Sequence, residues 1–363
     1  MKTSGHSEWT EYREHALARL TPALAELGYA LDLEQPHLAG ERAIIRPITG
    51  GRKLVLLGRR VHDHLRVVIK ASDDPAGVRE LTHERLCRTV LNNIAFSYQI
   101  FVSPEELLFT EREGFTLAIT EYIEQDRAFL ERPLKEQFAL ALAAFKAQEN
   151  AHATTYEHRT LVADTFGEMT AADYAEKIRQ YAEDLAVLVP EREGPVALAI
   201  KLIVRHQETL DRYGDFLTHW DFTPQNFRIR DGALYLLDHS SLRFGNKYEG
   251  WARFINFMTL YNPPLAEALS EYVRQNRTPE ELLALKCMRV FRLVELIRYY
   301  ASWLERTEGD LHALAEARIT FWAEVLACVL EDRPISGSLI QGYKTQRDQL
   351  RSDDEKRRQQ GLH

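Results

Sequence analysis

The chain has 363 residues, 45% of them hydrophobic and 28% charged, with a formal net charge of −8 and a pI near 5.9. This length is sufficient for two lobes with a sizeable core, and the acidic balance argues against a general nucleic-acid-binding protein. The three cysteines have no metal or redox spacing, and no apolar run resembles a secretory core or a membrane span. We therefore expect a cytoplasmic protein with no nucleic-acid or membrane partner.

The spacing of apolar residues in 1–39 predicts a helical extension. Apolar side chains recur at a spacing compatible with one face of a helix, at Trp9, Ala16, Leu20, Leu24 and Leu27. We expect this helix to pack on the region that follows it.

Residues 40–122 are predicted to form a small lobe of strands around one helix. Apolar stretches at 44–46, 54–57 and 65–69 predict three strands. Gly50 and Gly51 lie between the first two, where glycine would let backbone amides approach a phosphate chain; a plain hairpin turn is the default alternative. Lys70 ends the third strand and would contact the α and β phosphates, although lysines also protect strand edges.

A helix is predicted for residues 77–92, and it carries two acidic side chains on one face. Glu80 and Glu84 are four residues apart, which places them one above the other. In phosphoryl-transfer enzymes a helix glutamate can pair with the strand lysine and orient it. A solvated acidic face is the alternative for either residue taken alone.

Further along the chain, residues 115–123 resemble another strand and residues 134–152 a long helix. Residues 123–340 are predicted to form a larger, mainly helical lobe. Residues 341–363 are predicted to form a charged tail, either a solvated helix or a disordered segment.

The strongest signal is the run His219-Trp220-Asp221-Phe222-Thr223-Pro224-Gln225-Asn226 with Asp238 after it. Pro224 and its polar neighbours predict a loop. The Asp231-Gly232 pair predicts a hairpin turn between strands 227–230 and 233–237. This hairpin would bring the Asn226 amide close to the Asp238 carboxylate, and both are oxygen ligands suited to magnesium.

Two interpretations of this run compete. Asp and Asn favour turns because they cap local backbone groups, and any one of these residues alone is best explained that way. Together they have the spacing that phosphoryl transfer requires: an acid to take a hydroxyl proton, and an amide and a second acid to hold magnesium. The four residues, combined with Lys70 upstream, favour the second interpretation.

The same residues carry a family resemblance. His219, Asp221 and Asn226 fill the signature His-x-Asp-x-x-x-x-Asn, and Asp238 ends the next hairpin. Over about residues 40–330 the chain resembles the small-molecule phosphotransferases that include aminoglycoside phosphotransferases and choline kinases. The resemblance implies an α+β, protein kinase-like fold of two lobes, with a small β-rich N-terminal lobe and a larger helical C-terminal lobe.

The resemblance also implies roles for individual residues. Asp221 would be the catalytic base, and Asn226 and Asp238 would hold magnesium. Glu84 matches the acid that pairs with Lys70, with Glu80 as the alternative. The main chains of Glu121 and Ile123 fall where the family binds the purine edge. The chain departs from the family at Trp220, where many members have glycine, and after Asp238, where a His-Ser-Ser sequence replaces a commonly acidic stretch.

The function implied is an ATP- or GTP-dependent and magnesium-dependent kinase that phosphorylates a hydroxyl of a small molecule of aminoglycoside, amino alcohol or sugar type. The net charge favours a cationic or neutral acceptor over an anionic one. The alternative is a nucleotide-binding pseudokinase or scaffold. A protein kinase is disfavoured because no Ala-Pro-Glu motif follows Asp238. The sequence leaves the oligomeric state open.

Overall fold

The computed structural model describes residues 4–35, 52–94, 102–150, 156–351 and 356, and its N-terminal part contains a five-stranded antiparallel sheet. The strands are β1 (Tyr29–Leu31), β2 (Leu54–Arg60), β3 (Arg66–Ser72), β4 (Glu106–Arg112) and β5 (Phe115–Glu121). Their order is β1-β2-β3-β5-β4, so β3 is the central strand. Lys70 therefore lies in the best-supported part of the sheet.

The alternation of side chains along β3 fixes the direction of Lys70. Val67, Ile69 and Ala71 are fully buried against helix α1 (Ser4–Glu26), which contributes Trp9 and other apolar residues to the same core. Because successive side chains in a strand point to opposite faces, Lys70 faces away from this core. Helix α2 (Pro75–Asn93) packs against β3 and supplies the glutamates of the site.

Asp74 and Pro75 determine where helix α2 begins. Pro75 occupies the first turn, where a missing backbone N–H costs nothing. The carboxylate of Asp74 accepts a hydrogen bond from the N–H of Ala76 at 3.4 Å, which satisfies one of the free donors of the first turn. The cap thus fixes the start of the helix that carries Glu80 and Glu84.

The C-terminal region is mainly helical. Its helices are α3 (Leu134–Asn150), α4 (Tyr156–Phe166), α5 (Ala171–Leu188), α6 (Glu193–Arg205), α7 (Gln207–Arg212), α8 (Tyr248–Tyr261), α9 (Pro263–Asn276), α10 (Pro279–Leu304), α11 (Gly309–Leu330) and α12 (Gly337–Leu350). The last of these packs on α11, where the ring of Tyr343 stacks on that of Phe321 with centroids 4.3 Å apart. A single large apolar cluster joins these helices.

Two short antiparallel pairs interrupt the helices and hold the signature residues. Strand β6 (Phe216–His219) pairs with β9 (Leu242–Gly245), and β7 (Phe227–Arg230) pairs with β8 (Ala233–Leu236). Between β7 and β8, Asp231 and Gly232 have φ of 53° and 76°, as a hairpin of this type requires. Aromatic packing beneath the loop holds it in place: Phe222 and Phe227 stack with centroids 5.3 Å apart.

The α+β arrangement with a small sheet-bearing lobe and a larger helical lobe is confirmed. The predicted strand at 44–46 and the Gly50-Gly51 turn lie outside the described residues. The pairing of β6 with β9 was not predicted. No helix in the described part of the chain is both long and apolar enough to cross a membrane. The domain boundaries remain predictions.

Candidate active site

The N-terminal half of the site is built on two lysine–glutamate ion pairs. Lys70 Nζ contacts Glu84 Oε1, and Lys53 Nζ contacts Glu80 Oε1. The sequence left open which glutamate pairs with Lys70, and in the structure it is Glu84. Burial alone would raise the pKa of Glu84, but Lys70 and Lys53 outweigh it and hold that pKa below its usual value. Glu84 is therefore an ionised carboxylate.

Lys53 is a site residue that the sequence analysis missed. It immediately precedes β2, in which Val55 pairs with Lys70 across the sheet. Because side chains alternate, Lys53 shares the face of Val55 and hence of Lys70. It is only 7% exposed, although lysines are rarely this buried. A lysine two residues after the predicted glycine turn was the available signal.

Asp221 is held from two sides in the C-terminal half of the site. The amide of Asn226 donates to the main-chain carbonyl of Asp221 at 2.7 Å and to its Oδ2 at 3.2 Å. Arg253 Nε, from α8, donates to Asp221 Oδ1 at 2.8 Å. The carboxylate is oriented by both contacts and stays about one-third exposed, at 34%, so an incoming group can reach it. Arg253 was not among the predicted residues.

Asp238 adopts a left-handed backbone conformation, with φ of 54° and ψ of 59°, which Asp tolerates better than most side chains. Its Oδ1 accepts from Ser240 Oγ at 2.7 Å and its Oδ2 from Ser241 Oγ at 2.9 Å. Burial would raise the pKa of Asp238, yet the charge of Lys70 and the other nearby donors hold it well below its usual value. The carboxylate is thus ionised and electrostatically coupled to Lys70.

His219 links the loop to the turn that follows the hairpin. It is fully buried, and its Nε2 donates to the main-chain carbonyl of Asp238 at 3.1 Å. Burial lowers the pKa of His219, which keeps the ring neutral. His219 therefore joins the Asp221 loop to the Asp238 turn without a charge of its own.

The segment after β5 leaves main-chain groups available at the predicted purine site. The N–H of Glu121 donates to Glu105 O at 3.0 Å, so Glu121 can offer only its carbonyl. Within the described residues the N–H of Ile123 has no hydrogen-bond partner. A carbonyl acceptor and an N–H donor two residues apart suit the edge of a purine base. Gly50 and Gly51, predicted to cover the phosphates, lie outside the described residues.

The donor set suits a magnesium ion. Asn226 uses its NH₂ group on Asp221, which leaves its carbonyl Oδ1 without a protein donor among the described residues. Asp238 supplies an ionised carboxylate nearby in the same turn-and-hairpin unit. In the described ranges no group of three or more His, Cys, Asp or Glu side chains is placed to hold a metal ion. Magnesium commonly binds to one or two protein oxygens and completes its shell with water and phosphate.

Comparison with known proteins defines the fold. Neither the protein-family models nor the curated proteins gave a match. A search of solved structures did give matches. The apo form of a thermostable mutant of the aminoglycoside phosphotransferase APH(4)-Ia aligns with a TM-score of 0.55 at 15% identity, covering 84% of this chain and 97% of its own.

Two further solved structures align with most of the chain. A macrolide 2'-phosphotransferase of type I aligns with a TM-score of 0.54 at 16% identity, covering 83% of this chain and 96% of its own. A ternary complex of APH(4)-Ia with ADP and hygromycin B aligns with a TM-score of 0.53 at 16% identity, covering 84% and 96%. The chain has a kinase-like phosphotransferase fold. The Lys70–Glu84 pair of the N-terminal part lies near the Asp238 turn of the C-terminal region, close enough for Lys70 to lower the pKa of Asp238.

Proposed function

We propose that the protein transfers the γ-phosphoryl group of ATP or GTP, with magnesium, to a hydroxyl group of a small molecule. The observation that carries the proposal is the convergence of the Lys70–Glu84 ion pair on the Asp238 turn, with Asp221 and Asn226 on the adjoining loop. A base, a phosphate-binding cation and two metal donors are the parts that phosphoryl transfer needs. The fold shared with small-molecule phosphotransferases supports it.

Asp221 acts on the acceptor. Its carboxylate is fixed by Arg253 and Asn226 and remains partly exposed. The acceptor oxygen forms a bond to the γ-phosphorus while the bond from that phosphorus to the β–γ bridging oxygen breaks. The hydroxyl proton passes to Asp221, and the nucleoside diphosphate leaves. Orientation of the acceptor by a fixed carboxylate contributes through both proton transfer and positioning.

Lys70 and the metal donors act on the nucleotide. Glu84 orients Lys70 toward the α and β phosphates, and Asn226 Oδ1 and the Asp238 carboxylate would hold magnesium. When bound, the metal neutralises the charge of the phosphate chain. The main-chain carbonyl of Glu121 and the N–H of Ile123 bind the purine edge. The ADP complex of APH(4)-Ia supports a nucleotide in this place.

A scaffold that only binds nucleotide would need no base beside the metal donors. The contacts from Arg253 and Asn226 hold Asp221 in a single orientation, and this constraint favours catalysis over mere binding. We therefore favour a kinase over the pseudokinase alternative.

The test is magnesium-dependent phosphorylation of a panel of aminoglycosides, amino alcohols and sugars, read by mass spectrometry as the gain of one phosphoryl group. Asp221→Asn keeps the size of the side chain but removes the base, so we expect turnover to fall at least about 100-fold while nucleotide affinity changes little. Asp310→Asn, an exposed residue in the first turn of α11, is the matched control. Undiminished turnover in Asp221→Asn would remove Asp221 from this role.

A further inference from the structure

The wall beside Trp220 and Asp221 carries several basic side chains, although the whole chain is acidic. Three cationic side chains from three different elements meet there: Lys177 of α5, Arg243 of β9 and Arg292 of α10. Arg292 is 7% exposed and its guanidinium lies 5.3 Å from the centre of the Trp220 ring. Because Trp220 directly precedes Asp221, this cluster borders the place where an acceptor must lie.

The acidic side chains of the cluster are already occupied. Glu249 is fully buried; it accepts from Arg243 Nε at 2.8 Å and from Tyr174 Oη at 2.8 Å. Glu295 pairs with Arg292 and accepts from Tyr181 Oη at 3.1 Å. These carboxylates have their donors within the protein, so they offer little attraction to a cationic ligand.

Lys177 is the exception among these charges. It is half-buried on the face of α5 that also carries Tyr174 and Tyr181. Among the described residues, no carboxylate oxygen lies within 4 Å of its ammonium group. Arg243 and Arg292 lie close enough to repel it, and Glu295 and Asp173 attract it from beyond that distance. Burial and the charge of Arg243 lower the pKa of Lys177. A cation that is half-buried among other cations is stabilised by an anion that binds to it.

On the basis of the phosphotransfer proposed above, we propose that the acceptor carries an anionic group, a carboxylate or a phosphate, in addition to its reactive hydroxyl. Lys177 binds this group next to the Arg243 and Arg292 pairs, and Asp221 receives the proton of the hydroxyl. A polycationic acceptor would place a like charge beside Lys177, whose ammonium group has no carboxylate in contact, and would be repelled. The local charge thus outweighs the overall charge of −8 in selecting the acceptor.

The first measurement compares acceptors that share a skeleton and differ in charge. Glucose, glucosamine, glucuronate and glucose 6-phosphate are assayed one by one with γ-labelled ATP and magnesium, together with size-matched pools of neutral polyols, aminoglycosides, sugar carboxylates and sugar phosphates. We expect transfer to the carboxylate or phosphate members, and the separate pools tell which of the two is used. Transfer confined to cationic or neutral acceptors would overturn the inference and leave the proposed function intact.

The second measurement uses Lys177→Met on the acceptor that is phosphorylated. We expect KM for the anionic acceptor to rise by about 10- to 100-fold with little change in kcat, because Lys177 binds the acceptor and takes no part in the proton transfer. Lys177→Arg keeps the charge and should restore most of the affinity. Lys201→Met, an exposed lysine of α6, is the matched control, and melting temperatures verify that each variant folds.

The outcomes separate the two proposals. An unchanged KM in folded Lys177→Met, or an equal rise in KM for a neutral analogue, contradicts the role of Lys177. Failure to phosphorylate any pool contradicts the proposed function itself, and the inference about the acceptor falls with it.

Discussion

Lys53 and Lys70 lie on one face of the sheet, yet their surroundings differ. Lys70 pairs with the buried Glu84, whereas Lys53 pairs with the more exposed Glu80. Both lysines lower the pKa of Asp238, and Lys70 has the larger effect of the two. From this ranking we propose that Lys70 contacts the phosphates directly and that Lys53 has a supporting electrostatic role.

Replacement of each lysine by methionine tests the ranking. We expect Lys70→Met to lower kcat/KM for the nucleotide by about 100-fold or more, because a charge-assisted contact to the phosphates is lost. Lys53→Met should lower it by about 10-fold, because its effect on the phosphates is indirect. Steady-state kinetics and nucleotide titration measure both, with the exposed Lys146→Met as control. A larger loss for Lys53→Met would reverse the assignment.

At the level of residues, the sequence was sufficient to predict the site residues that lie close to one another in the chain. Asp221, Asn226 and Asp238 lie within one loop and hairpin, so their spacing predicted that they meet. Arg253 lies on a helix that the chain reaches only after β9, and no local pattern ties it to Asp221. Glu80 and Glu84 share one helix face, so periodicity alone was unable to choose between them. The register in which β2 pairs with β3 decides which of the two glutamates contacts Lys70.

Helix α10 shows how one element is fixed in place beside the site. Thr278 and Glu281 form a capping box at its N-terminus, and Pro279 fills the first turn. Glu281 Oε1 also accepts from Lys247 Nζ and from Tyr248 Oη, both at 2.7 Å. The start of α10 is thereby tied to α8, the helix that carries Arg253, so the carboxylate links the two helices.

The protonation of Glu281 should make the stability of the protein depend on pH. Burial would raise its pKa, but the hydrogen bond from Lys247 and the other donors lower it to about 2. A carboxylate whose pKa is lowered in the folded state stabilises it above the unfolded value, near 4.5, and loses that contribution as the pH falls toward 2. We expect Glu281→Gln to lower the free energy of unfolding at pH 7 by about 2–3 kcal/mol and by much less near pH 2.5.

Denaturation of the wild type and of Glu281→Gln at pH 7, 5 and 2.5 measures this difference in the free energy of unfolding. Glu280→Gln, next to it but exposed and paired with Arg212 at the surface, should change the free energy of unfolding by less than about 0.5 kcal/mol. A constant difference between the wild type and Glu281→Gln at all three pH values would show that Glu281 acts through packing and not through its charge.

Among the elements, those with local signals were predictable and those made by distant pairing were not. Asp231-Gly232 predicted the β7–β8 hairpin because both positions need positive φ. The strands β6 and β9 are four residues each and are joined only through the loop and hairpin between them. Such short strands carry too little alternation to be recognised, and their pairing depends on the packed lobe around them.

In the whole molecule, the lobes meet through contacts that no single segment encodes. Ser103 Oγ lies 2.9 Å from His239 Nε2 although 136 residues separate them in the chain. Burial lowers the pKa of His239 to about 3, so the ring stays neutral at this junction. The junction places the Asp238 turn against α2 and hence against the Lys70–Glu84 pair. The sequence predicted that the two halves belong together but not the contacts that join them.

The charge of the whole molecule and the charges beside Asp221 favour different acceptors. The net charge of −8 favours cationic or neutral ligands on average, but the wall beside Asp221 gathers Lys177, Arg243 and Arg292. Local charges within a low-dielectric cleft act more strongly than distant surface charges that water and salt screen. Composition does not say where charges lie, so the proposal of an anionic acceptor depends on the structure, and the expectation from net charge stays a prediction.

The central claim, direct phosphoryl transfer with Asp221 as base, is tested by following ATP whose γ-phosphoryl oxygens carry ¹⁸O. With wild-type protein, magnesium and an accepted substrate, we predict that mass spectrometry finds the acceptor heavier by a phosphoryl group that retains its three labelled oxygens, and that Asp221→Asn forms little of this product. Label recovered only in inorganic phosphate, at equal rates for the wild type and Asp221→Asn, would contradict the account.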